Sequence, residues 1–171
     1  MATARPRGRD LELRVARSAD DRAAHFLVRH TVFVDEQEIF HDTDRDVWDE
    51  SAVHVVAAMG PLVVGAVRLY RLDEAGLWQG DRLAVLPDAR RTLRAGAPLV
   101  RFAVATAGEL GGHTMIANIQ QRNVPFFQHL GWRRVGLLAP YHGLTHQRMA
   151  IGLSAAPSAF ADDGYAWALG S

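Results

Sequence analysis

The segment between Arg82 and Trp132 constrains the fold most, because it reads as strand, loop, helix, strand and helix in close succession. A short apolar run, Arg82–Leu86, ends at a proline and predicts a buried strand. A periodic apolar segment follows from Pro98 to Gly111, with proline near its first turn and glycine after its last, which is typical of a helix. Thr114–Ile119 predicts the next strand. Two strands joined through a helix pair in parallel, so we expect one parallel junction near the middle of the sheet.

The N-terminal half predicts a strand and a long helix. Leu11–Arg17 alternates apolar and charged residues with period two, and Ser18 supplies N-cap chemistry for a helix that should end near Gln37. From residue 38 to residue 51 the chain is acidic and lacks helical periodicity, which indicates a loop with a short helix. The apolar stripe of the long helix is expected at Ala24, Leu27, Val28, Thr31, Val32 and Asp35, widened by Phe26 and Phe33.

Glycine and proline mark the remaining turns. The dipeptide Gly60-Pro61 separates two strand-like runs and predicts a β-hairpin. The runs are Val53–Met59 and Leu62–Leu72; a short helix is expected over Asn123–Leu130, and further strands over Val135–Leu138 and Arg148–Leu153. The expected fold class is α+β, with a mixed, mostly antiparallel sheet of about seven strands, about four flanking helices and a cleft at the parallel junction.

The 171 residues, 49% of them apolar, suit a single domain. We place that domain at residues 11–153, between a loose basic tail over 1–10 and a second tail over 154–171. The first tail is not followed by an apolar stretch of the kind found in signal peptides, so a soluble cytoplasmic protein is expected. The second carries Phe160, Tyr165 and Trp167, which would suit a partner contact such as a homodimer interface.

Composition excludes several chemistries. The chain has no cysteine, which rules out a thiol nucleophile and thiolate metal sites, and no lysine, which rules out a Schiff base. Nineteen basic residues balance nineteen acidic ones, so no overall field attracts nucleic acid or a membrane. Eight histidines show no metal-ligand spacing, and we assign no metal. No hydrolase or nucleotide-triphosphatase motif is present.

An arginine-rich stretch, Arg90–Pro98, lies between the central strand and the following helix. A helix N-terminus preceded by glycine and basic side chains binds anions, because its free N–H groups and dipole face the loop. A pyrophosphate would fit there. The alternative is an arginine-rich surface loop before an ordinary helix.

This part of the chain resembles the GNAT superfamily of acyltransferases. The strand from Arg82, the phosphate-loop pattern Arg91-Thr-Leu-Arg-Ala-Gly96 and the helix after it match the first half of the family signature. Arg94 departs from the pattern, because a glycine is usual there. Asn123-Val-Pro-Phe-Phe-Gln-His-Leu-Gly-Trp132 matches the second half, an Asn followed by an aromatic pair and Leu-Gly-aromatic.

The resemblance implies roles for these residues. The backbone of Leu83, Ala84 and Val85 would pair with the pantetheine of acetyl-CoA or another acyl-CoA, the co-substrate. Asn123 would bind the pantetheine from the other side, although it could also be a helix N-cap. The family's usual acid, a tyrosine in the aromatic pair, is absent, since Phe126 and Phe127 lack a hydroxyl. The pyrophosphate would be held by Arg90, Arg91, Arg94, Gly96 and Ala97.

A second resemblance lies upstream, to ElaA-type GNAT proteins and, more distantly, to acyl-homoserine-lactone synthases. It implies an acceptor pocket shaped by Arg29, Phe33, Asp46 and Arg68. An attacking amine must lose a proton, so a carboxylate, a histidine or a water chain has to accept it. The candidates for catalysis are Glu36, Asp46, Asp49 and His146, with Tyr141 as replacement acid. The alternatives are an ion-pair network for the carboxylates, a strand-edge role for His146 and turn packing for Tyr141.

Three functions fit this pattern. The leading one is acyl transfer, most simply of acetyl, from acyl-CoA to a primary amine of a small molecule by direct attack in a ternary complex. The second is a longer-chain acyltransferase resembling acyl-homoserine-lactone synthases, suggested by the upstream pattern. The third is a degenerate domain that binds CoA without turnover, suggested by Arg94 and Phe127.

Overall fold

A computed structural model describes residues 10–92, 94–137 and 143–153, with Thr92 described in its backbone alone. The predictions for Tyr141 and for the tails over 1–9 and 154–171 lie outside the described residues.

Seven strands form one sheet in the order β1-β2-β3-β4-β5-β7-β6. Every neighbouring pair is antiparallel except β4 and β5, which are parallel, so the predicted mixed sheet and its parallel junction are confirmed. The hairpin at Gly60-Pro61 is also confirmed, because Met59 pairs with Leu62 across it. The strands are β1 Leu11–Val15, β2 Val53–Met59, β3 Leu62–Arg71, β4 Leu77–Val85, β5 Thr114–Gln120, β6 Arg133–Leu137 and β7 His146–Gly152.

Four α-helices lie in the described part of the chain: α1 Ala19–His30, α2 Pro87–Thr92, α3 Gly96–Glu109 and α4 Val124–His129. α1 continues as a π-helical segment, Thr31–Glu36, so its predicted end near Gln37 is confirmed. The acidic stretch contains one 3₁₀ turn, Val47–Glu50. The arginine-rich stretch was expected to be a loop, but α2 covers its first three residues, 90–92. None of the helices in these ranges is long and apolar enough to cross a membrane.

The predicted apolar face of α1 is wrong by about one residue. His25, Val28, Arg29 and Val32 are buried, whereas Leu27 is 66% exposed. Counting apolar residues alone misplaces this face, because two of its members are polar side chains whose partners lie far away in sequence. The buried face of α1 therefore serves the ion pairs described below.

β4 is longer than predicted and irregular. It begins at Leu77 and carries polar side chains in its interior. Opposite Val67 of β3 it has two residues, Arg82 and Leu83, where a regular ladder would have one, and Arg82 has φ of 52°. Such a β-bulge bends its strand and increases the local twist. The bulge therefore turns the C-terminal half of β4 away from its regular course.

β4 and β5 separate after a short paired stretch. Pairing joins Leu77, Trp78 and Gln79 to Thr114, Met115 and Ile116. Beyond Gln79 the described residues give β4 no further pairing with β5, while β5 stays paired with β7 as far as Gln120. The main hydrophobic core includes residues of α3 such as Leu99 and Phe102. The predicted cleft thus lies between the C-terminal halves of the two parallel strands.

Candidate functional site

Two adjoining cavities occupy this cleft. The inner cavity, of about 630 Å³, has polar and aromatic walls that include Asp46, Trp48 and Tyr70, and an apolar wall of core residues. The outer cavity, of about 670 Å³, is lined by Glu36, Arg90 and other residues. Four residues line both cavities, namely Ile39, Leu83, Asn123 and Leu144. The shared residues place the two cavities side by side in the cleft.

The first turn of α3 has the features of an anion site. Its N-cap is Ala95, whose side chain cannot cap the helix, so the N–H groups of Gly96 and Ala97 have no side-chain cap bond. Arg94 adopts φ of 47°, the left-handed conformation that glycine adopts without strain. An arginine therefore stands in a backbone conformation that favours glycine, at the position where the resemblance implies a glycine. Arg91 and Arg94 are both exposed beside this helix start.

Arg90 and Glu36 contact each other. Arg90 donates through Nη1 to Glu36 Oε1 at 2.6 Å and through Nε to the carbonyl oxygen of Val85 at 2.8 Å. The structure thus joins a predicted phosphate ligand to a predicted catalytic base at the wall of the outer cavity. The ion pair holds the Glu36 carboxylate against Arg90, which favours a structural role for Glu36.

Three residues at the start of α4 differ in what they present to the cleft: Asn123, Phe126 and Phe127. Asn123 lines both cavities, and its side chain makes no capping bond to α4, so the N-cap alternative lacks support in the described residues. Phe127 is buried, packs edge-on against Trp132 and Phe126, and lines the inner cavity. Phe126 is partly exposed. Of these three, Asn123 alone presents polar atoms to the cleft.

His146 begins β7 and lines the inner cavity. Its Nδ1 lies 3.0 Å from the carbonyl oxygen of Leu144, which can only accept, so Nδ1 carries the proton. In the neutral ring the lone pair is then on Nε2. The cavity location and this tautomer keep His146 a candidate base.

Three arginines and four aspartates form a buried network beside the inner cavity. Arg29 donates to Asp44 at 2.7 Å and to Asp49 at 2.7 Å, and its side chain is 0% exposed. Arg68 donates to Asp46 at 2.6 Å and to Asp81 at 2.7 Å. Further pairs in the network are Arg68 with Asp49, Arg82 with Asp44 and Arg82 with Asp46. α1, the acidic loop, β3 and β4 are therefore held together at one point.

The network lowers the pKa values of two of its carboxylates, Asp46 and Asp49. Burial raises the pKa of Asp49, but hydrogen bonds from Arg29, the Asp46 amide and His54 outweigh it, so this pKa lies well below its ordinary value. The pKa of Asp46 is also lowered, because the Arg68 guanidinium outweighs burial. Carboxylates held this way bind protons weakly at neutral pH. Their geometry favours the ion-pair alternative over general-base catalysis.

The residues predicted to shape the pocket for the acyl acceptor separate into two groups. Phe33 and Asp46 line the inner cavity, where a substrate could touch them. Arg29 and Arg68 are buried behind that wall and bind the acidic loop instead. The structure thus makes the two arginines supports of the wall.

Sequence reasoning missed an aromatic wall of the inner cavity. Trp48 stacks on Tyr70 with ring centroids 4.4 Å apart and planes 16° apart. The Tyr70 hydroxyl donates to Asp81 at 3.3 Å, and burial together with the negative Asp81 raises the pKa of Tyr70 to about 12. The signal in the sequence was the charged pair Asp81-Arg82 inside a strand, which shows that this part of the strand does not face apolar core alone.

The chain has a mixed sheet that opens at its parallel pair, and two adjoining cavities lie in that opening. The chain belongs to the acetyltransferase (GNAT) family, whose model matches residues 22–153. It is a GNAT-type N-acyltransferase.

The chain is 29% identical over 119 residues to the uncharacterized N-acetyltransferase YjcF of Bacillus subtilis, which covers 70% of this chain and 83% of YjcF. Escherichia coli ElaA has the same fold, with a TM-score of 0.71 and 21% identity over 82% of this chain and 99% of ElaA. BjaI, a CoA-dependent acyl-homoserine lactone synthase, has a TM-score of 0.70 and 20% identity over 86% of this chain and 85% of BjaI. At such identities the structural likenesses concern the fold.

Proposed function

We propose that this enzyme transfers an acyl group from acyl-CoA to a primary amine of a small molecule, by direct attack in a ternary complex. The observation that supports it is the pair of adjoining cavities at the β4–β5 gap, which share four lining residues. An acyl-CoA lying across this gap would put its thioester between the two cavities. An amine could then reach the thioester from the inner cavity.

The donor would be held mainly by backbone. The edge of β4 from Leu83 to Val85 is turned toward the gap, so it could pair with the pantetheine amides, as the family resemblance implies. The pyrophosphate would meet the N–H groups of Gly96 and Ala97 and the guanidiniums of Arg91 and Arg94. Asn123 would bind the pantetheine from the opposite wall.

In the chemical step, the amine nitrogen forms a bond to the thioester carbonyl carbon, and the carbon–sulfur bond then breaks. The amine loses one proton, and the thiolate of CoA gains one. His146 Nε2 is the proposed acceptor of the amine proton, directly or through water, because its lone pair belongs to a side chain of the inner cavity. Tyr141 remains the proposed acid for the thiolate.

Binding of the donor tests the proposal first. We expect the double variant Arg91→Gln/Arg94→Gln to bind acetyl-CoA roughly 10²- to 10⁴-fold more weakly in calorimetry, because two charge-assisted bonds to phosphate contribute roughly 1.5–3 kcal/mol each. Arg101→Gln removes the same charge from an exposed position further along α3 and should bind like the unchanged enzyme. Folded protein that binds neither acetyl-CoA nor longer acyl-CoAs would contradict the proposal.

The apolar wall of the inner cavity favours a second candidate, transfer of an acyl chain longer than acetyl. Residues of the hydrophobic core line this wall, and an acetyl group alone would not require so much apolar surface. They include Val100, Ala103, Met115 and Ala117.

Chain-length profiling separates the two candidates. If the longer chain is native, Ala103→Leu should lower kcat/KM for octanoyl-CoA about 10-fold relative to acetyl-CoA, because the added side chain occupies space that the acyl chain needs. Ala105→Leu makes the same change at a buried position of α3 outside the cavity lining and should leave the ratio unchanged. Strict acetyl preference in the unchanged enzyme would reject the longer chain.

A further inference from the structure

Trp48 is the most exposed of the described aromatic side chains that line the inner cavity, with 38% of its surface accessible. Its indole stacks on the ring of Tyr70, with ring centroids 4.4 Å apart. The guanidinium carbon of Arg68 lies 5.1 Å from the centroid of the same tyrosine ring. An indole that is stacked on one side and still accessible has π surface left for a ligand of the cavity.

Asp46 and Trp48 are held together in one capped turn. The Asp46 carboxylate accepts from the backbone N–H of Trp48 at 3.0 Å, and Asp49 accepts from the backbone N–H of Asp46 at 3.0 Å. Arg68 fixes the carboxylate of Asp46 from below the wall, at 2.6 Å. An aromatic ring and a carboxylate therefore stand in the same wall of the cavity before any ligand binds.

The network behind this wall has an excess of negative charge. It joins three guanidiniums to four carboxylates, so one formal negative charge is not balanced within it. His54, which contacts Asp49, does not supply the missing charge at neutral pH, because burial lowers its pKa. The side chain of Asp46 is 37% exposed, and those of the other three aspartates are 21% exposed or less. The excess charge is therefore most accessible at Asp46.

The loop that supplies Trp48 adds to this negative potential. Residues 38–51 include six acidic side chains and one basic one, Arg45, whose guanidinium carbon lies 3.7 Å from the ring centroid of Phe26. An anionic ligand would be repelled by this wall, and a neutral one would gain nothing from its charge. A positively charged organic group would be attracted both by the carboxylate and by the indole.

We propose that the acceptor carries a second positive charge besides its reacting amine, and that the Trp48 indole and the Asp46 carboxylate bind this charge; this inference rests on the proposed function. The class of acceptors includes diamines and amines with a quaternary ammonium group. The second charge takes no part in the reaction: the C–N bond forms, the C–S bond breaks and the reacting amine loses one proton. Trp48 is thus a residue that determines specificity.

Pairs of amines with the same shape test this inference. One member of each pair is an aminoalkyl-trimethylammonium compound, and the other has a neutral tert-butyl group in place of trimethylammonium. The alkyl linker is varied across the panel, and kcat/KM is expressed per concentration of free amine. We expect the unchanged enzyme to prefer the charged member about 10-fold, the combined effect of a cation–π contact and a partly exposed ion pair.

Replacing Trp48 with leucine removes the π surface and keeps an apolar side chain. We expect Trp48→Leu to reduce the preference for the charged amine about 3- to 30-fold, which corresponds to one cation–π contact, and to leave KM for acyl-CoA unchanged. Trp48→Phe keeps an aromatic ring and should retain part of the preference. Asp46→Asn keeps a side chain that caps the turn but removes the charge, so it should reduce the preference as well.

Val47→Ala is the matched control, because Val47 belongs to the same turn, is 74% exposed and lies outside the lining of both cavities. It should leave the preference unchanged. An unchanged preference in a folded Trp48→Leu enzyme would overturn the inference, and so would equal or better use of the neutral amines by the unchanged enzyme. In both cases amine turnover still upholds the proposed function. If the unchanged enzyme binds acyl-CoA and acylates no amine of the panel, the proposed function and the inference both fail.

Discussion

Replacing Arg29 with methionine should lower the free energy of unfolding by about 3–5 kcal/mol, the range for removal of one partner from a buried ion pair. Arg29 is 0% exposed and Asp44, which accepts from it at 2.7 Å, is 2% exposed. Methionine fills much of the volume but leaves Asp44 with Arg82 at 3.4 Å as its remaining cation. Asp49 keeps Arg68 and a bond from His54, so the main loss falls on Asp44.

Chemical denaturation measures this loss as a shift of the transition midpoint. Arg14→Met is the matched control, because Arg14 also donates to an aspartate, Asp21, at 2.7 Å, but its side chain is 26% exposed. That exposed pair should contribute about 1 kcal/mol or less. Equal losses in the two variants would contradict the assignment of the Arg29 network as a buried support.

The free energy of unfolding should fall by about 2 kcal/mol as the pH is lowered from 7 to 5, through the titration of His25 alone. Burial lowers the pKa of His25 to about 3, against the opposing effect of its bond to Val55, whereas an unfolded histidine titrates near 6.5. Below about pH 6.5 the His25 imidazole therefore binds a proton in the unfolded chain but stays unprotonated in the folded chain. The free energy of unfolding decreases until the pH approaches 3. The pKa of His54 is lowered as well, mainly by burial, and adds to the same slope.

The geometry explains why His25 stays neutral. Its Nδ1 donates to the carbonyl oxygen of Val55 at 3.0 Å, and its Nε2 faces Arg29 Nη1 at 3.3 Å, so a second ring proton would meet a guanidinium. Urea denaturation at several pH values checks the slope. His25→Asn should reduce this slope by up to one bound proton. A free energy of unfolding that is flat from pH 7 to pH 5 would refute the assignment.

Local patterns were sufficient to predict most of the fold. Gly60-Pro61 permits a tight turn between two apolar strands, and proline and glycine mark the ends of α3, so these features depend on neighbours in sequence. The buried face of α1 could not be found that way. Arg29 is buried because Asp44 and Asp49 reach it from a loop 15 and 20 residues away. The spacing of apolar residues along α1 does not indicate such distant partners.

The candidate site also has one part that local sequence predicts and one part that it does not. The donor side follows from consecutive residues, since Arg94, Gly96 and Ala97 surround one helix start. The inner cavity does not, because Tyr70, Asp81 and Trp48 come together only through strand register and loop docking.

The bulge at Arg82 and Leu83 has an evolutionary consequence. The gap between the strands is formed by the backbone of β4, through its bulge and its early separation from β5. Relatives could exchange cavity residues one at a time, and so adopt new acceptors, without closing the passage for the donor. The strand geometry would then be inherited while substrate preference diverges.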